Sequence, residues 1–291
     1  MNNVTELLNR IERCYDAIPR VSGARVEHIG RFALFVTEGP GWPFYARPQF
    51  GANSSAKLAS ETGQLFTPAS VDAVRARQRE LGVPEAFEWV DDLAPSLRPA
   101  VEAAGLKVIL APLMVLDPSR LVAAPALSPV PVRLLDPDAP DFADLNAVAS
   151  TVARLGFGAP GTGIGEAGPA ERDASVTPSD PAHTESYAAA VRAGTKAQAV
   201  AVDAEQGMVA TGAYQSAGEV AEIVGVATLP SARRRGLGAA ISSALAQQAL
   251  DAGMDLVFLS ANDTDVARVY GRIGFERIGT ACIAAPADTT H

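Results

Sequence analysis

The sequence predicts an α/β chain, of the α+β kind, built from two modules in tandem. Three observations carry that expectation. Strand-like apolar runs alternate with helical patterns, two stretches repeat one order of elements, and a Pro/Ala-rich segment lies between them. A length of 291 residues is enough for two modest cores. With 48% hydrophobic and 20% charged residues, the composition is that of a globular chain rather than a disordered one.

In the first half, Val4, Leu7, Leu8, Ile11 and Tyr15 recur at helical spacing, so a helix is expected over 3–18, opening behind Asn2 or Asn3. Residues 25–36 read as one strand and Gly39 to Pro43 as a turn. The Trp42, Pro43, Phe44 and Tyr45 cluster there either faces a ligand or packs a small core. Then come a helix over 70–81 capped by Ser70, a strand over 84–90, a helix over 93–104, a break at Gly105-Leu106 and a strand over 107–116. Residues 237–284 repeat that order: helix 237–251, strand 255–260, helix 263–273, the break Gly274-Phe275 and strand 276–284. The expected domains are 1–120 and 132–291, with 121–131 as a linker low in side-chain chemistry.

The second module opens with the strand Pro131-Val132-Arg133-Leu134-Leu135. A helix over 141–155 follows, with Phe142, Leu145, Val148 and Val152 as its stripe. Gly156 to Pro181 is rich in Gly and Pro and long for a connection, so a mobile loop is expected, either a lid or a disordered insertion. A helix over 184–192 and a hairpin of 196–203 with 207–215 lead to an apolar strand beginning at Glu222.

That strand ends at Pro230-Ser231. Arg233, Arg234, Arg235, Gly236, Leu237 and Gly238 then run into a helix whose Leu237, Ile241 and Leu245 share a face. A strand, a basic glycine loop and a helix start make an anion site, because free N–H groups and the helix dipole converge there. In this stretch the chain resembles the GNAT superfamily of acyl-CoA-dependent N-acyltransferases. Arg233-x-x-Gly236-x-Gly238 fits that family's Gln/Arg-x-x-Gly-x-Gly/Ala diphosphate loop. Asn262 after a strand and Tyr270 before Gly274-Phe275 fit its second signature.

The resemblance implies two GNAT-like modules, each a mixed, mostly antiparallel sheet flanked by helices. The first is degenerate, since Glu61 to Pro68 replaces the loop and Ala100-Val101-Glu102 stands where Tyr270 would be. It would pack against or frame the acceptor site, with Glu85, Glu88 and Trp89 as residues that could reach in. The resemblance further implies acetyl-CoA as co-substrate. Its diphosphate would lie on Arg233, Arg234, Arg235, Gly236, Leu237, Gly238 and Ala239, and its pantetheine along Val226, Ala227 and Thr228 with Asn262 nearby. The N–H near Val226 would meet the oxyanion. Tyr270 would be the general acid, and Glu222 the base, with Glu219 and Asp263 as rivals. Tyr270 also falls on an apolar stripe with Val266, Val269 and Ile273, and Asn262 is equally suited to capping a helix.

The implied reaction is acetylation of a primary amine on a small molecule: an amino acid, a polyamine or an amine-bearing antibiotic. Protein or peptide acetylation and a non-catalytic acyl-CoA sensor are the alternatives. A net charge of −9 argues against nucleic acid as a partner. Cys14 and Cys282, with His28, His183 and His291, have neither disulfide nor metal-ligand spacing, so no metal is expected. With no leader-like start and no membrane-spanning apolar run, a cytoplasmic monomer or homodimer is expected.

Overall fold

The computed structural model describes residues 2–38, 43–49, 65–159 and 161–287. The Trp42 end of the aromatic cluster, the side chains of Asn2 and Asn3, and Glu61 to Gln64 lie outside the described residues. The chain groups into two compact units. One comprises Met1–Met114, Ser260–Asp263 and Arg277–His291, and the other Val115–Leu259 and Thr264–Glu276. Both are mixed sheets flanked by helices, mostly antiparallel, so the fold class is that read from the sequence.

In the first unit, helix α1 (Asn2–Val21) buries Leu8, Ile11, Tyr15 and Ile18, whereas Val4 is exposed. The single strand expected over 25–36 is a hairpin, β1 (Arg25–Ile29) with β2 (Phe32–Val36). Gly30 and Arg31 form its two-residue loop, and Gly30 has the positive φ (55°) that such a loop requires. Strand β3 (Ala46–Pro48) leads on to helix α2 (Pro68–Leu81), strand β4 (Phe87–Val90), helix α3 (Leu97–Ala103) and strand β5 (Lys107–Leu116). Thr67, not Ser70, caps α2. Pro68 opens the helix, and Ser70 returns the bond from the third helical position.

The strand order of this unit is β1-β2-β3-β4-β11-β5, so β11 (Phe275–Ala285) from the chain's end lies between β4 and β5. Phe32, Phe66, Phe87, Trp89, Leu97, Val101 and Cys282 share one core. Trp89 is 1% exposed there, and Glu85 is held by Arg75 and Arg79. Within this unit Trp89 is therefore a core residue and Glu85 a partner of two arginines. The same unit buries an ion pair completely, Glu12 of α1 with Arg47 of β3.

The second unit runs β6 (Val132–Leu134), α4 (Phe142–Phe157), α5 (Pro169–Ser175), α6 (Pro181–Arg192), β7 (Lys196–Asp203), β8 (Gly207–Ala217), β9 (Val220–Thr228), α7 (Leu237–Asp251), β10 (Leu256–Ser260) and α8 (Thr264–Gly271). Its strand order is β10-β9-β8-β7-β6, antiparallel except for the parallel pair β9–β10 that α7 connects. The first unit repeats that device, with α2 connecting the parallel pair β3–β4.

Two faces of this sheet are distinguishable. Gly212 of β8 lies against Ile241 and Leu245 of α7, and a Cβ there would come within 2.6 Å of Ile241 Cγ2. On the other face Gly156 of α4 packs on Ala227 and Thr228, and Tyr187 of α6 stacks on Phe142 of α4. The stretch from Gly156 to Pro181 is not the structureless loop expected from its composition. Its prolines start helices: Pro169 opens α5, and Pro181 opens α6 behind an Asp180 cap. The buried Arg172 of α5 donates to the carbonyls of Gln206 and Met208, which pins the segment to the β7–β8 turn.

Candidate active site

The site is built where β9 bends. Opposite Gly212 the strand places two residues, Gly225 and Val226, since Val224 pairs with Ala213 and Ala227 with Thr211. Gly225 takes a φ of +64°, which makes this a glycine bulge that turns the strand. On its other side β9 parts from β10. Their register is Val220, Ala221 and Glu222 with Leu256, Val257 and Phe258, and stops there. From Ile223 to Thr228 that edge of β9 has no pairing with β10. A buried strand that gives up its ladder leaves N–H and C=O groups in need of partners. An extended ligand with amide groups can supply them.

Just beyond, the chain makes the loop that starts α7. Arg234 (φ 67°) and Gly236 (φ 75°) are both left-handed and flank Arg235. Such alternation turns successive N–H groups towards one point. A side chain at Gly236 would meet the Leu127 carbonyl oxygen at 2.0 Å, so only glycine fits. Gly238 is roomier, its nearest neighbour being Val226 Cγ1 at 3.8 Å. The first turn of α7, Leu237, Gly238 and Ala239, then presents its unpaired N–H groups and the positive end of the helix dipole.

The three arginines divide their work. Arg233 donates to the carbonyls of Gly156, Ala159 and Gly163, tying the loop to the α4–α5 connection. Arg235 pairs with Asp203 and bonds Gln206, and its guanidinium, with the N–H groups of Glu205 and Gln206, holds the Asp203 carboxyl below its usual range. Arg234 is exposed and has no partner among the described residues. The side chains of Arg233 and Arg235 thus fasten the loop itself, while that of Arg234 is exposed.

Glu222 is buried, and its Oε2 accepts from Gln215 Nε2 at 2.9 Å. Glu219 is exposed at the β8–β9 turn, and Asp263 belongs to the first unit. Register places Glu222 opposite Gln215, and Gln215 opposite Lys196. Directly opposed side chains share a face. Gln215 stands three positions from Gly212, which faces α7, so the row Lys196–Gln215–Glu222 lies on the α4 and α6 face. Lys196 Nζ accordingly sits 5.2 Å from the centre of the Tyr187 ring of α6. This row was not anticipated. Its only local trace is the i, i+2 placing of Lys196 and Gln198 in an otherwise apolar strand, which also describes a solvent-facing edge.

Tyr270 of α8 is buried, with its ring edge-on to Phe275 at 6.1 Å. Burial raises its pKa. The nearby Ser242 hydroxyl of α7 opposes that weakly, having no hydrogen bond of good geometry, so burial decides. Asn262 is exposed, and among the described residues its amide bonds only Asp263, at 3.5 Å, so it does not cap α8. Among the described residues no group of three or more His, Cys, Asp or Glu is placed to hold a metal, and no helix is long and apolar enough to cross a membrane.

Residues 201–284, which run from the end of β7 to nearly the end of β11, match the family described as FR47-like protein. No curated protein matches the chain. Among solved structures, a GCN5-related N-acetyltransferase from Kribbella flavida is similar over 97% of this chain and 96% of its own, at 24% identity and a TM-score of 0.64. A GCN5-related N-acetyltransferase-like protein from Streptococcus suis is similar over 96% and 98%, at 14% identity and a TM-score of 0.51. A tandem GNAT protein from the clavulanic acid biosynthesis pathway is similar over 94% and 89%, at 15% identity and a TM-score of 0.51. Residues 201–284, around the glycine loop, thus resemble the FR47-like family, and the fold over nearly the whole chain is shared with these solved structures.

Proposed function

We propose that the chain is an N-acetyltransferase that transfers an acetyl group from acetyl-CoA, as co-substrate, to the primary amine of a small molecule. The FR47-like match and the neighbours named as N-acetyltransferases support the acyltransferase class. The observation that carries the reading is one juxtaposition within the second unit: the glycine loop at the start of α7 follows directly on the released edge of β9.

The residues fit such a group. The N–H groups of Arg235 to Ala239 receive a diphosphate, Arg234 adds charge, and Gly238 allows close approach. Val226, Ala227 and Thr228 offer backbone partners to the pantetheine amides. When bound, acetyl-CoA supplies an acyl carbon activated as a thioester. Glu222, steadied by Gln215, takes the proton that the amine loses as its C–N bond forms. The Val226 N–H, turned by the bulge, meets negative charge on the carbonyl oxygen. Tyr270 hydrogen-bonds the sulfur and gives it a proton as the C–S bond breaks. Its raised pKa keeps the phenol protonated at neutral pH, so its contribution is a well-placed donor rather than a strong acid.

Gly238→Asp tests the cofactor site. The space near Val226 accepts a side chain, so the variant is expected to fold. The carboxylate then faces the diphosphate, and acetyl-CoA affinity should fall about tenfold or more, equivalent to about 1.4 kcal/mol, by calorimetry. Unchanged affinity in a folded variant removes the site.

A further inference from the structure

We propose that the acetyl acceptor carries a carboxylate beside its amine, and that Lys196 receives it, with the Asn146 amide beside it. This rests on the N-acetyltransferase reading and narrows it. Lys196, Gln215 and Glu222 form one cross-strand row beneath α4 and α6, so the Cα atoms of Lys196 and Glu222 are two strand spacings, about 10 Å, apart. An amine at Glu222 therefore leaves the rest of a small acceptor pointing along the row towards a cation.

That cation is unspent. Among the described residues Lys196 makes neither an ion pair nor a hydrogen bond, and its ammonium rests on the Tyr187 ring, itself stacked on Phe142. Burial lowers the Lys196 pKa, and an incoming anion would offset that cost. Polar groups gather around it. Gln198, two residues along the same strand face, is buried, but it gives its Nε2 to Thr211 and its Oε1 can only accept, so it adds no donor for a carboxylate. Asn146 is 5% exposed, one turn beyond Phe142 on the stripe of α4 that ends at Gly156 against the sheet. Its side-chain amide has no partner among the described residues. A half-buried cation without an anion carries a desolvation cost, and a carboxylate that accepts from Lys196 Nζ and from an Asn146 amide N–H removes it. One cation with one neutral amide matches a monoanion. A polyamine would bring like charge against Lys196, so among small amines the row selects amino acids.

The test compares kcat/KM, by thiol release from acetyl-CoA, for α-, β- and γ-amino acids and for the carboxamide of each. It is run on the full chain and on Lys196→Met and Lys196→Arg; methionine keeps an unbranched stem on the Tyr187 ring, and arginine keeps the charge. The unmodified chain should prefer the acid over its carboxamide by about tenfold or more in its best pair. Lys196→Met should lower that ratio about tenfold, and Lys196→Arg should keep most of it. Equal use of acids and carboxamides, or a loss in Lys196→Met shared by both, overturns the carboxylate seat and leaves the acetyltransferase reading in place. Thiol release with neither set overturns the seat, and the Gly238→Asp titration then decides the cofactor reading separately.

Discussion

Tyr270→Phe should lower kcat by about 10²–10⁴-fold, the range of a positioned general acid, while acetyl-CoA binds almost as before. The substitution removes one hydroxyl and keeps the ring that packs edge-on to Phe275. The Ser242 hydroxyl beside it loses no well-formed bond, so stability should change by less than about 1.5 kcal/mol. Because burial raises the Tyr270 pKa, the phenol stays protonated through the neutral range. A limb of the rate–pH profile below pH 9 should therefore belong to another group and persist at the same pH in the variant. Single-turnover thiol release measures the chemical step, and calorimetry the affinity. A variant with full turnover on its best amine would sink Tyr270 as the donor to sulfur.

Glu12→Ala should destabilise the first unit by about 3–5 kcal/mol, the cost of leaving a buried charge without its partner. Both Glu12 and Arg47 have no exposed side-chain surface, and Glu12 also accepts the Val90 N–H at 2.8 Å. The single variant takes the carboxylate from Arg47, which also lies against Tyr15 and Tyr45, and frees a buried N–H. The double variant Glu12→Leu/Arg47→Met removes both charges and should recover much of the loss. Urea midpoints of the two variants decide the matter. A Glu12→Ala midpoint unmoved from that of the unmodified chain would show that the pair contributes nothing.

Local patterns carried what was legible in the sequence. Leu237, Ile241 and Leu245 announce α7, and the boundaries of that helix were read correctly from their spacing and from Gly236 before them. The same logic failed at Gly30, where a lone glycine in an apolar run looked tolerable within one strand. It in fact turns a hairpin, in which the part-exposed β1 covers one edge of the fully buried β2. Gly225 is the mirror case in β9: nothing local marks it as a bulge, which is defined only by the partner strand. The arginines were only partly legible: a basic run before a glycine loop reads as three phosphate ligands, and nothing local shows that Arg233 meets carbonyls seventy or more positions back in the sequence. The row Lys196–Gln215–Glu222 was invisible because it exists only in the register of three strands. The place of β11 between β4 and β5 is also a long-range pairing that composition cannot encode.

Hydrogen exchange of the full chain, with and without saturating acetyl-CoA, tests the central claim most directly. Exchange should slow at the amides of residues 226–228, where the edge of β9 is released, and at residues 235–239, where the loop enters α7. It should not slow in α2, β4 and α3, whose stretch lacks the Arg-x-x-Gly-x-Gly pattern. Unchanged exchange at 226–228 and 235–239 while acetyl-CoA is bound, or protection confined to the first unit, would contradict it.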